Sequence, residues 1–332
     1  MPSLVVQTSF LGDMVLTTPL IAHLARAGPV DVLATKAGAT LLANNPAVRE
    51  IIVYDKRGAD RGVGGFRRIA SRLRARTYDS AYLAQGSVRS GALTLAAGIR
   101  ERVGFASSAG RLFYTTRIPP IEGTHHAAKL LSLATRDPLA EAPRAQIRPH
   151  LYPGMIERAQ VDEVLGPSSA GAQLVALAPG SVWATKRWPY FAELAHELSA
   201  LGQVVVVGGA ADRELAREIV GATKGQAIDA TGRLPLLASA ELIGRSALLV
   251  TNDSAPLHLA SAMNTPTVAV FGPTVPEFGF GPLAERAAVA GNDALTCRPC
   301  DRHGPQRCPL GHWRCMREIT PDVVARMARE LL

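Results

Sequence analysis

Four stretches of this 332-residue chain carry the residue types that do chemistry. In residues 250–274, VTNDSAPLHLASAMNTPTVAVFGPT, an apolar run leads into Asn252-Asp253-Ser254 and then into a helix-forming segment. Asn, Asp and Ser are helix-capping residues. A helix start with unpaired N–H groups also attracts phosphate or carboxylate, so the stretch reads either as an anion site or as an ordinary capped helix. Residues 178–189, APGSVWATKRWP, again follow an apolar run. Ser181 and Thr185 offer donors and Lys186 a positive charge, a set that suits a diphosphate; a tryptophan-packed loop with solvated cations is the alternative. In residues 207–212, VGGAAD, the glycines permit close backbone approach, and Asp212 either accepts from ribose hydroxyls or caps the next helix. In residues 9–13, SFLGD, no GxGxxG fingerprint is present. Asp13 there either favours a helix start through its charge or serves as a general base.

The four cysteines, Cys297, Cys300, Cys308 and Cys315, all lie in one short segment with His303 and His312 between them. The first pair is CxxC and the second is not. The set leaves two readings open, a small structural zinc site and reduced structural thiols.

These residues must be positioned by an alternation of strands and helices. Apolar runs predict strands at 3–8, 30–34, 51–54, 81–84 and 102–105, with helices at 14–27, 39–43, 66–76, 91–97 and 124–134. Residues 137–154 contain Pro138, Pro143, Pro149 and Pro153, which stop regular structure and suit an inter-domain linker. Beyond it the spacing predicts strands at 174–178, 203–207, 227–230, 247–250 and 267–271. Helices are expected at 155–165, 190–201, 212–220, 236–246, 256–263 and 321–332. The fold class is therefore α/β, with two Rossmann-like domains, 1–152 and 153–332.

Composition bounds the function. Hydrophobic residues at 47% and charged residues at 19% describe a globular protein with sizeable cores. No apolar run approaches the ~20 residues of a membrane span, and the opening MPSLVVQTSF lacks a basic signal-peptide start, which favours the cytoplasm. Residues 1–150 hold 20 Lys and Arg against 10 Asp and Glu, whereas the remainder holds 16 against 18. The basic half suits an acidic partner. Arg57, Arg61 and Lys129, with His125 and His126, are the candidate contacts, against the alternative of a solvated basic face.

LGDMVLTTPL, APGSVWATKRWP, TNDSAPLHLASAMNTPTVAVFGPT and CRPC…CPLGHWRCM together resemble the ADP-heptose:lipopolysaccharide heptosyltransferases, glycosyltransferase family nine, heptosyltransferase II being nearest in pattern. The resemblance implies a GT-B architecture, two Rossmann-like domains facing each other across a cleft. It implies an inverting transfer that requires no cofactor. The amino-terminal domain would take the lipopolysaccharide inner-core acceptor at the inner-membrane surface, and the carboxyl-terminal domain the ADP-heptose donor. The enzyme would be cytoplasmic or peripheral at the inner face of that membrane. Carried over by residue, the catalytic carboxylate falls on Asp13, the phosphate-binding lysine on Lys186 and the ribose contact on Asp212. The donor-binding helix start falls on Asp253, Ser254 and Ala255, with His258 one turn on; Ser181 and Thr185 line the diphosphate loop. Ala255 stands where many relatives have Gly.

Three alternatives accompany this reading: a related GT-B transferase using another sugar, a nucleotide-sugar epimerase, and a zinc-dependent RNA-binding protein. The last would interleave aromatic residues with its cations. Phe66 is the only aromatic between Lys56 and Arg76, so no nucleic-acid partner is expected.

Overall fold

The computed structural model describes residues 2–136, 142–169 and 171–332. They form two compact units, Met1–Tyr152 and Pro153–Leu332. Asp137 and Pro138 of the proline-rich stretch lie outside the described residues.

The first unit holds strands β1 (Ser3–Gln7), β2 (Val30–Ala34), β3 (Glu50–Val53), β4 (Ser80–Leu83), β5 (Glu101–Phe105) and β6 (Thr116–Ile118). They make one parallel sheet in the order β3-β2-β1-β4-β5-β6. The second unit holds β7 (Leu174–Ala178), β8 (Gln203–Val206), β9 (Ile228–Asp229), β10 (Leu248–Asn252), β11 (Thr267–Phe271) and β12 (Ala287–Gly291). They are also parallel, in the order β12-β11-β10-β7-β8-β9. Read from β9, the second order repeats the first. Both are the doubly wound arrangement, in which the direction of winding reverses between the first and fourth strands.

Strands of a parallel sheet are covered on both faces, so they read as unbroken apolar runs rather than as alternations. SLVVQ, VDVLA, LVALA, LLVTN and TVAVF are buried at every position. In the first unit Leu4, Val6, Leu33, Ile52 and Leu83 pack with Ile69, Leu73 and Leu93 from helices Gly62–Arg74 and Val88–Ala96. In the second, Val175, Leu177, Val204, Val250 and Val268 pack with Trp188, Phe191, Leu194 and Val324. Among the described residues, no helix is long and apolar enough to cross a membrane.

The structure departs from the sequence expectations in four places. The helix expected over 14–27 is two, Leu11–Leu16 and Thr18–Ala25. Pro19 has no N–H to give to the Val15 carbonyl, which accepts instead from the Thr18 hydroxyl at 2.9 Å. Residues 11–13, read as part of a turn, belong to the first of these helices. Each sheet has a sixth strand, β6 and β12, that the apolar runs did not reveal. A four-residue helix, Arg144–Ile147, interrupts the stretch read as linker.

Candidate functional site

In open α/β sheets, ligands bind outside the carboxyl ends of the strands, where the winding reverses. In the second unit that place lies between β7 and β10, and the loops leaving both strands are joined there. Asn252, the last residue of β10, donates from Nδ2 to the Pro179 carbonyl at 2.8 Å and accepts the Trp188 N–H at 3.0 Å. Next to it, Lys186 Nζ lies 2.5 Å from Asp253 Oδ2. The Thr274 hydroxyl, beyond β11, donates to the same oxygen at 2.7 Å. Lys186 and Asp253 are 8% and 7% exposed, so neither charge is tolerated there without the other. An ammonium carries three protons, and Asp253 engages one.

The helix that follows is Ala255–Met263, with Ser254 in the N-cap position. The expectation that Asn252, Asp253 and Ser254 cap it through their side chains does not hold. No side-chain cap bond forms, because Asn252 and Asp253 are engaged by the 179–188 loop. The Ser254 hydroxyl is buried without a hydrogen bond. The Asp253 N–H donates to the Val270 carbonyl at 3.1 Å, so donors for an anion come from Ser254 and Ala255 onward. His258, one turn on, is buried with its ring edge-to-face with Phe280 at 6.2 Å.

Asp212 ends a 3₁₀ turn, Ala210–Asp212, and precedes the helix Arg213–Ala222. It makes no side-chain cap bond to that helix. Its Oδ2 accepts the Gly209 N–H at 2.8 Å instead. A Cβ on Gly180 would lie 2.2 Å from Asp212 Oδ1, and one on Gly208 2.7 Å from Oδ2. A larger residue at either position would displace the Asp212 carboxylate, and their absent side chains bring it against the loop that carries Ser181, Thr185 and Lys186. Within that loop Ser181 Oγ accepts the Trp183 N–H at 3.3 Å. Thr185 is buried and donates to the Pro305 carbonyl, so its hydroxyl proton is turned away from any ligand.

Cys297, Cys300, Cys308, Cys315 and His312 line one cavity of about 230 Å³. All four cysteines are free thiols. Cys297 Sγ and His312 Nε2 are 4.0 Å apart. Among the described residues, no three His, Cys, Asp or Glu side chains form a group that could hold a metal ion. The thiols differ in acidity. Burial pushes Cys315 up to about 11, and burial followed by the neighbouring thiols raises Cys300. At Cys308 the upward effect of burial is outweighed by backbone N–H groups of Trp313, Leu310, His312 and Gly311, which hold the thiol below its ordinary value.

In the first unit the winding reverses between β1 and β4, and Asp13 lies in the helix that leaves β1. Phe10 holds the N-cap position and Asp13 stands in the first turn. The Ser9 hydroxyl lies 2.6 Å from Asp13 Oδ2 and 2.7 Å from Gln7 Oε1. It has one proton to give, and a carboxylate is the stronger acceptor. Gln7 Nε2 donates to Thr17 Oγ1 at 3.1 Å, and that hydroxyl donates to the Asp13 carbonyl at 2.6 Å. The buried Gln7 thus fixes both ends of the Asp13 turn. His126 Nε2 stands 3.8 Å from Asp13 Oδ1, each side chain being 21% exposed.

Of the basic candidates, Lys129 lies one turn beyond His126 on helix His126–Thr135. His125 is that helix's cap, its Nδ1 accepting the Ala127 N–H at 3.2 Å. Arg57 and Arg61 are exposed in the turn after β3. From the same turn Lys56 reaches the Asp13 loop, donating to the Thr8 carbonyl at 2.9 Å. Burial, and then Arg57 and Arg89, lower its pKa. Sequence reasoning missed Lys56 because nothing in a run of cations sets one apart. It missed Thr274 because its partner Asp253 is 21 residues away.

The profile of glycosyltransferase family 9 (heptosyltransferase) matches residues 66–311. The chain is 30% identical over 306 residues to lipopolysaccharide heptosyltransferase 2 of Escherichia coli K12, covering 87% of each. It is 30% identical over 315 residues to lipopolysaccharide heptosyltransferase 1 of Pseudomonas aeruginosa, covering 90% of this chain and 85% of the relative. Among solved structures it is similar to E. coli ADP-heptose LPS heptosyltransferase II, with a TM-score of 0.81 at 27% identity, covering 100% of this chain and 98% of that one. A family 9 glycosyl transferase from Veillonella parvula gives 0.85 at 25% identity, covering 99% and 96%.

Two outcomes follow from this geometry. Lys186→Met leaves the Asp253 carboxylate buried and short of its cation, and should lower stability by about 3–5 kcal/mol in urea denaturation. Adding Asp253→Asn removes the orphaned charge and should recover most of that loss; a double variant no more stable than Lys186→Met would refute the coupling. Among the thiols, Cys308 should react first with a thiol reagent near neutral pH and Cys315 last, because the thiolate is the reactive form. Lowering the pH should slow Cys308 as its thiolate is protonated. Peptide mapping of partially labelled protein reads the order.

Proposed function

The chain belongs to glycosyltransferase family 9 (heptosyltransferase), and from that membership we propose that it moves heptose from ADP-heptose to the lipopolysaccharide inner core. It is a glycosyltransferase, and the RNA-binding alternative is set aside. The observation that carries the donor half of the reading is the buried Lys186–Asp253 pair beside the helix start at Ser254, at the winding reversal of the second sheet.

In the proposed reaction Asp13 takes the proton from an acceptor sugar hydroxyl. The freed oxygen forms a bond to the anomeric carbon of the heptose from the face opposite ADP, and the bond from that carbon to the diphosphate breaks. Charge develops on the leaving diphosphate oxygen. Lys186, which keeps protons beyond the one given to Asp253, and the N–H groups of Ser254 and Ala255 are suited to meet it, because preorganised donors act best where charge appears in the transition state. Asp212, held against Gly180, is suited to the ribose hydroxyls. The hydrogen bond from Ser9 supports Asp13 as the base by fixing its orientation.

The cations of the first unit support an anionic acceptor. We assign Lys56, Arg57, Arg61 and Lys129 to its phosphates and carboxylates, with the protein working at the inner face of the inner membrane. Transfer itself is tested by mass spectrometry of truncated cores incubated with ADP-heptose. A gain of one heptose is expected; ADP-heptose converted to another nucleotide sugar with the core unchanged would select the epimerase.

The decisive variant is Asp13→Asn. Asparagine keeps the shape and loses the favourable charge in the first helical turn, a change of about 0.3–1 kcal/mol in stability. It cannot accept the proton, so transfer should fall on the order of 10²–10⁴-fold. ADP affinity should stay within a factor of a few. A thermal melt, ADP calorimetry and an initial rate on one preparation decide the matter. A variant that retains more than about a tenth of the rate, against that loss, removes Asp13 from the role.

A further inference from the structure

The cysteine-bearing segment is stitched to both loops that meet at Lys186. On one side, the Cys300 N–H donates to the Pro273 carbonyl at 2.9 Å. On the other, Gln306 makes two bonds to the 181–186 loop. Its Oε1 accepts the Ala184 N–H at 3.1 Å and its Nε2 donates to the Val182 carbonyl at 3.0 Å. Pro305 accepts the Thr185 hydroxyl, and the ring of His303 stacks on Trp183 with centroids 6.3 Å apart. Between them Gly304, at φ +84°, lies so close that a Cβ would stand 3.3 Å from Lys186 Cε, Thr185 Oγ1 and Pro273 Cγ. The stem of Lys186 is therefore held between the buried Asp253 and the backbone of residue 304.

We propose that residues 303–306 form the outer wall of the donor's diphosphate loop, and that Gln306 is a positioning residue which sets that loop for an adenosine-diphosphate sugar. The proposal rests on the reading of 181–186 as the diphosphate loop. Gln306 closes a two-bond clamp on consecutive turns of backbone, replacing with a fixed side chain the water that would otherwise satisfy Val182 and Ala184. Being exposed, it contributes little to the core, so its effect falls on loop geometry rather than on folding. The wall is anchored next to the thiol cavity, since Cys300 and Cys308 flank it in sequence and line that cavity together. Coupling between two sites is reciprocal. If the wall sets the loop for the donor, an occupied loop must in turn hold the wall, and Cys308, two residues beyond Gln306, reports on that.

The test uses the full-length protein and ADP as probe. Gln306→Ala removes two hydrogen bonds, and should weaken ADP binding and raise the KM for the ADP-sugar about three- to thirtyfold. kcat should stay within about twofold, because no bond is lost to the reacting atoms. The melting temperature should stay near that of the parent, and Arg302→Ala, an exposed change in the same segment, should behave as the parent does. Saturating ADP should slow labelling of Cys308 in the parent and leave it unaltered in Gln306→Ala. Unchanged ADP affinity in Gln306→Ala, or a fall in kcat with KM unchanged, overturns the proposal. So does Cys308 labelling indifferent to ADP in the parent. Lys186→Met with Asp253→Asn separates the two levels. If that double variant loses ADP and Gln306→Ala does not, the wall is wrong and the diphosphate loop stands. If the double variant binds ADP as the parent does, the loop assignment itself fails.

Discussion

One buried charge pair governs the second unit. Lys186 and Asp253 come from loops after different strands, and each is nearly inaccessible to water. A lysine ammonium in such a place is costly unless a partner offsets its lost hydration. Asp253 is that partner, and Asn252 beside it fixes the same loop through its backbone. The pair therefore does two things at once. It closes the 179–188 loop onto the end of β10, and it sets a lysine at the place where the fold can receive an anion.

The two sheets have the same strand order, yet their reversal points carry opposite chemistry. In the first unit the turn after β1 presents a carboxylate bonded by Ser9, with Gln7 and Thr17 bracing the turn beneath it. In the second the loop after β7 presents an ammonium held by Asp253. In the proposed reaction a carboxylate would take a proton and a cation with N–H groups would meet the departing diphosphate. Repetition of one fold, with a change in the few residues that leave its first strand, supplies both groups. Fold alone would not have distinguished them.

Much of this was legible in the sequence, for a physical reason. Strands buried on both faces must be apolar throughout, so β1, β2, β7 and β11 stand out as runs of Val, Leu and Ile or their equivalents. The edge strands β6 and β12 did not, because TRI and AAVAG have too little apolar surface to mark a run. Lys186, Asp253 and Asp13 were legible because they follow strands, where α/β proteins place their ligands. Their surroundings were not. Asp253 looked like a helix cap because its sequence neighbours suit one, and only the approach of Lys186 from 67 residues away and Thr274 from 21 gives its side chain other partners. Gln306 lies more than 120 residues from the backbone groups it holds, beyond the reach of any spacing rule. The cysteines left zinc and reduced thiols both open in the sequence, and the shared cavity that they line was not legible there.

Arg298 shows how the carbonyls beyond the end of a strand find donors. Past the last ladder bond, buried backbone carbonyls must be paired with something other than a neighbouring strand. The Arg298 side chain is 4% exposed, and its guanidinium donates to the carbonyls of Gly272, Phe271 and Thr274 at 2.6, 3.0 and 3.1 Å. It therefore gathers the carbonyls around the end of β11 onto one hidden guanidinium, whose charge Asp293 balances at 2.8 Å. An arginine-to-lysine change there would preserve the formal charge but not the three-way fork, and would leave carbonyls of buried residues short of a donor.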